Sequence, residues 1–148
     1  MAFRYSLQPI LRLRQSLERQ EEQKLLAIAA TVARLRAELA DLDSAHLRQK
    51  DATLRGLMQA PAGALLQFMA VCDIAVEEKR RTLEAQLKEA ERRRLEQLDQ
   101  YQEARQKREI LEGLRKRQQF AYDLDLGRHE QQRTDEAFLI RAFLNSCE

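Results

Sequence analysis

The side chains able to do chemistry are few in this chain, and they are poorly spaced for it. His129-Glu-Gln-Gln-Arg133 opens like the HExxH helix of a zinc hydrolase, but Arg133 stands where the second imidazole would be. Zinc needs three or four converging donors, and this stretch supplies one. The other histidine, His46, falls on an apolar stripe, where a polar residue satisfied by its neighbours is the expectation. Cys72 and Cys147 are far apart and suggest no disulfide framework. Cys72 also lies on an apolar stripe and reads as a buried free thiol. There is no GxxxxGK[ST] loop to cradle phosphates and no GxGxxG turn for a dinucleotide. The 24 Asp and Glu residues are interleaved with 26 Lys and Arg, a solvated pattern with no cleft to shift a carboxyl pKa. No catalytic residue, cofactor or metal is assigned, and the chain is expected not to be an enzyme.

What must position these side chains is helical. The apolar positions Leu25, Ile28, Val32, Leu35, Leu39 and Leu42 alternate steps of three and four, the seam of a coiled coil. Arg34, Arg36, Glu38 and Asp41 lie between them on what should be a solvated face. No Gly or Pro interrupts the run, and its Ala, Leu, Arg and Glu favour helix. A seam this narrow has to be covered by a second helix. Composition agrees: 34% charged, 5% aromatic, four Gly, two Pro and no Trp over 148 residues is the profile of long helices.

Taken in order, Phe3, Tyr5 and Leu7 alternate with Arg4, Ser6 and Gln8. Pro9 then suits the first turn of a helix, with Ser6 or Gln8 as cap. Ile10, Leu13 and Leu17 begin a stripe, and the eight-residue step from Leu17 to Leu25 predicts a local skip near Gln20 to Lys24. The stripe passes His46 and fades by Leu54 to Met58. Gln59-Ala-Pro-Ala-Gly63 is the one convincing turn. A helix from about 9 to 57 would be roughly 70 Å long at 1.5 Å per residue.

The second helix is expected from about 65 to 140, after a turn over about 58–64, with a frayed tail beyond. Its apolar positions are Leu65, Met69, Cys72, Val76, Leu83, Leu87, Leu98 and Tyr101, with several steps of eleven residues that predict a straighter course. Folding about Pro61 sets Leu39 against Leu83, Leu35 against Leu87, and Leu25 to Ile28 against Leu95 to Leu98. The fold class is therefore all-α: one elongated, antiparallel, two-helix coiled-coil hairpin spanning 1–148, expected to be a monomer. About thirty C-terminal residues, including Phe120, Tyr122, Leu124, Leu126 and the apolar run Ala137 to Leu144, are left without a partner helix. Phe3 and Tyr5 fall at the same end, and such an aromatic concentration points to docking; the alternative is that the tail folds back onto Phe3 and Tyr5 or frays.

Charge excludes other classes. Net charge is +2, and residues 77–117 hold thirteen basic against ten acidic side chains, so nucleic-acid binding is not expected. No apolar run approaches the roughly 18 residues of a membrane span. Met-Ala-Phe-Arg-Tyr-Ser has no apolar core of a secretory signal, so a cytoplasmic location is expected.

Two stretches carry a resemblance. Phe3-Arg-Tyr-Ser-Leu-Gln-Pro-Ile-Leu-Arg-Leu-Arg14 resembles the N-terminus of the FliJ family of flagellar export proteins. Leu114-Arg-Lys-Arg-Gln-Gln-Phe-Ala-Tyr122, followed by Arg128-His-Glu-Gln-Gln-Arg-Thr-Asp-Glu136, resembles that family's C-terminal signature. The apolar extension Ala137 to Leu144 departs from it, since members often end in polar residues.

The resemblance implies a cytoplasmic component of the flagellar type III export apparatus, peripheral to the inner membrane at the flagellar base. It implies a stalk-like coiled coil inserted into a hexameric export ATPase, promoting ring assembly and ATP hydrolysis. A link to the cytoplasmic domain of the export gate, and escort of export chaperones, belong to the same picture. On this reading Phe3, Tyr5, Arg115, Arg117, Phe120, Tyr122, Arg128 and Glu130 face the ATPase, while His46, Phe68, Met69 and Cys72 face the export gate. The alternatives are the equivalent stalk of a virulence secretion system, or a structural adaptor with no ATPase partner.

Overall fold

Two helices account for nearly all of the described residues. The computed structural model describes residues 3–56 and 62–145. Helix α1 runs over Gln8–Gly56, 49 residues, and α2 over Ala62–Asn145, 84 residues. The cross-helix pairs Glu21–Gln97, Arg36–Glu91, Asp43–Arg80 and His46–Asp73 ascend one helix while descending the other. The fold is thus an all-α antiparallel two-helix hairpin, as the seam arithmetic predicts. Met58 to Pro61 of the expected turn, with Leu57 and Cys147, lie outside the described residues. Ala62 to Ala64 belong to α2, which therefore begins earlier than expected and also runs past residue 140.

α1 starts where the sequence puts it. The Gln8 N–H donates to the Tyr5 carbonyl at 3.2 Å and the Leu11 N–H to the Leu7 carbonyl at 2.9 Å. Pro9 sits in the first turn, where its missing N–H is no loss.

Packing divides the chain into two units: Arg19–Gln102, and Met1–Glu18 with Glu103–Glu148. In Arg19–Gln102 the core is Val32, Leu35, Leu83 and Ala90, with Leu39, Leu42 and Leu87 packed against it. Leu25, Ile28 and Leu98 are half-buried. Leu95 is 59% exposed, so it does not face Ile28; the buried side chain at that level is Gln97. In the other unit Leu11 is fully buried and Tyr5 is 8% exposed.

Two expectations about period need correction. Leu11, Arg14, Glu18, Glu21, Leu25 and Ile28 are all buried or half-buried at steps of three and four, so the predicted skip is absent. Glu18 and Glu21 fill the seam there. In α2 the steps of eleven resolve into threes, fours and sevens, a heptad pattern, once Ala90, Gln97, Ala104 and Arg108 are counted as seam residues. Counting only large apolar side chains hid them.

Candidate functional site

Within the unit holding both chain ends, the Phe3 to Ser6 segment is tied onto α2. Leu11 anchors the helix behind it by burying completely. The Tyr5 hydroxyl donates to the Leu111 carbonyl at 2.9 Å. The rings of Phe3 and Tyr122 approach to a centroid distance of 5.7 Å at 49°, within the range of favourable tilted aromatic pairs. Three of the four aromatics expected to be open are therefore engaged internally, which is a correction to their reading as unpartnered. The fourth, Phe120, is 66% exposed. It stands two residues from Tyr122, on the opposite side of the helix.

The cations of the same set separate. Arg115 is half-buried and Arg117 exposed. Arg128 sits 3.5 Å from Asp125 with both side chains exposed, and Glu130 lies two residues beyond Arg128. The structure pairs Phe3 with Tyr122 and ties Tyr5 to Leu111; it does not gather Phe120, Arg117, Arg128 and Glu130 around them. No residue from Asp123 to Asn145 is buried or half-buried.

Sequence reasoning missed an enclosed ionic cluster on the seam. Arg108, 21% exposed, donates from Nε to the Glu18 carboxylate and from Nη1 to Glu112. Its hydrogen bond to Glu18, aided by the charges of Glu112 and Glu109, raises its pKa above the ordinary arginine value. The unbroken three-four spacing through Glu18 was the signal that could have found it.

In Arg19–Gln102 the second candidate set lies near the start of α2. His46, with its side chain 14% exposed, places Nε2 3.0 Å from Asp73 Oδ1, and Lys50 Nζ stands 3.2 Å from the same oxygen. His46 Nδ1 is buried and has no hydrogen-bond partner. Cys72 is a half-buried free thiol that accepts a hydrogen bond from Gln49 Nε2 at 3.3 Å. Met69 is half-buried and Phe68 is 54% exposed. His46, Phe68, Met69 and Cys72 line one small recess, so this set is brought together. Exposed Leu66, Val71 and Ile74 make the first turns of α2 apolar on all sides, more than pairing with α1 requires.

Among the described residues no three His, Cys, Asp or Glu side chains converge as a metal site, and no helix is long and apolar enough to cross a membrane.

A family model described as "Flagellar FliJ protein" matches residues 3–148. No curated protein and no solved structure matches the chain. The family match covers essentially the whole sequence, both helices and the tied N-terminal segment included: the chain belongs to the FliJ family of flagellar export apparatus proteins.

Proposed function

We propose that the chain works as the stalk of the flagellar export ATPase. The segment containing Phe3, Tyr5, Arg115, Arg117, Phe120, Tyr122, Arg128 and Glu130 enters the hexameric ring, promoting its assembly and ATP hydrolysis. The recess of His46, Phe68, Met69 and Cys72 meets the cytoplasmic domain of the export gate. The protein sits at the cytoplasmic face of the inner membrane and hands export chaperones to the gate.

The observation that carries this reading is Phe120. A large aromatic side chain, 66% exposed, projects from α2 beside the level where Tyr122 closes on Phe3. Phe3, Tyr5 and Tyr122 hold the scaffold, while Phe120, one of several exposed aromatics, is left as an anchor of the kind found at interface hot spots. Family membership supplies the context of export.

The mechanism needs no chemistry from the chain itself. A single hairpin inside a six-membered ring touches the six subunits unequally. A subunit gripped at Phe120 then differs in nucleotide affinity from its neighbours, a coupling free energy typically of about 1–3 kcal/mol.

The test is to add the purified protein to the export ATPase and measure ring assembly and ATP hydrolysis. Wild type stimulates both. Phe120→Ala combined with Tyr122→Ala loses the stimulation while keeping wild-type helicity. Full stimulation by the double variant would show that the ATPase grips the chain elsewhere.

A further inference from the structure

In the unit containing Glu103–Glu148, α2 carries a second apolar face. Ile110, Leu114, Arg117, Ala121 and Leu124 recur at steps of four, three, four and three, which places them on one side of the helix. The side facing α1 is marked by half-buried Arg108, Leu111 and Tyr122. At 100° per residue the two faces are roughly 130° apart. Ile110 is 65% exposed, Leu124 47% and Leu114 38%, and Phe120 borders the row.

Gly113 makes a dent in this face. The shallow groove there is lined by Gln106, Glu109, Ile110, Gly113, Leu114 and Arg117. A Cβ at Gly113 would meet nothing within 4 Å, so the space is open. Glycine weakens the helix interior it occupies, and packing against α1 does not require it here.

Charge identifies the occupant. The nearby carboxylates are engaged: Glu109 by Arg105 at 2.8 Å, and Glu112 by Arg108 and by Lys116 at 3.9 Å. Among the described residues no carboxylate lies within ion-pair distance of Arg117, at the centre of the row. A second copy approaching closely at Gly113 would offer Arg117 only Glu109, a carboxylate that Arg105 already holds. Nucleic acid fits poorly as well, because Ile110, Leu114 and Leu124 gain nothing against phosphates and one cation gives a weak footprint. We infer that this face docks an amphipathic helix of a partner protein carrying a carboxylate between apolar side chains. Its apolar residues cover Ile110, Leu114 and Leu124, its backbone approaches at Gly113, and its carboxylate pairs with Arg117.

The face shares Arg117 and Phe120 with the ATPase-facing set, so the inference rests on that reading for its partner and specifies the chemistry of the contact. The experiment places the photocrosslinker p-benzoylphenylalanine at position 114, and separately at 120, in the full chain. Each is irradiated with the purified export ATPase, and the joined peptides are sequenced by mass spectrometry. From position 114 the crosslink reaches a helical segment with Asp or Glu within one turn. Arg117→Glu and Gly113→Leu each lower its yield by about tenfold while helicity is unchanged. A crosslink from 120 with none from 114 overturns the inference and leaves the ATPase reading standing; none from either overturns both. A crosslink from 114 to a neutral or basic segment, or one indifferent to Arg117→Glu, also overturns the inference. So does its loss on adding a short DNA duplex, which would assign the face to nucleic acid.

Discussion

Arg108 of α2 is held by Glu18 of α1 across the seam, with the two side chains only 21% and 15% exposed. Removing one partner leaves the other charge enclosed beside apolar neighbours, the costly half of any partly buried ion pair. Arg108→Ala or Glu18→Ala should each cost about 1–3 kcal/mol in urea denaturation. The double replacement Glu18→Leu with Arg108→Leu should recover most of that loss, because a hydrophobic layer can substitute for a paired one. If the double variant is as unstable as the sum of the singles, the pair does not act as a unit.

Leu35 and Leu124 should respond very differently to truncation. Leu35 is 5% exposed in the Val32–Leu83–Ala90 core, and a two-helix protein has little other core to share the loss. Leu35→Ala should cost roughly 2–4 kcal/mol. Leu124, 47% exposed, should cost under about 1 kcal/mol. Equal drops in melting temperature for the two variants would contradict the burial pattern.

Acid should weaken the helices through their surface pairs. Arg92 donates to both oxygens of Glu89, and Arg93 to one of them, which lowers the Glu89 pKa from 4.5 to about 2. Lys24 and Gln97 pull Glu21 down, Lys107 pulls down Glu103, and Arg105 pulls down Glu109. A folded-state pKa below the unfolded one gives stability that is present above the ordinary carboxylate range and lost as pH falls through the folded value. The melting temperature should therefore hold from neutrality to about pH 5 and decline between about pH 4.5 and 2. Because the pairs are exposed, molar salt should flatten the decline. Glu89→Gln should differ from wild type at neutral pH and converge with it near pH 2; a constant difference across that window would rule the Glu89 contribution out.

The hairpin was legible in the sequence because leucines at strict spacing mark α1 from Leu25 to Leu42. α2 was less legible for a physical reason. Its seam uses Ala90, Gln97, Ala104 and Arg108, and a reading that counts only large apolar side chains skips them. Leu95 shows the converse error, a leucine 59% exposed on the outer face. At the candidate site the aromatics could be located along the chain but not sorted. Nothing in their spacing says that Tyr5 spends its hydroxyl on the Leu111 carbonyl while Phe120 keeps its ring in solvent. Arg117 was visible as a cation; its lack of a carboxylate depends on where Glu109 and Glu112 turn.

The polar layers in the seam also fix alignment. Leucines repeat, so a seam of leucines alone would tolerate sliding by one heptad with nearly equal burial. Arg108 would then meet fully buried Leu11 in place of Glu18. Sliding the other way would set Gln97, whose amide donates to the Glu21 carbonyl at 3.3 Å, against Ile28. Either slip strands a polar group among methyl groups, so the two helices have one alignment and cannot shear past each other in register-sized steps. A push delivered along one helix is thereby passed to the other at the same level instead of being lost as slippage.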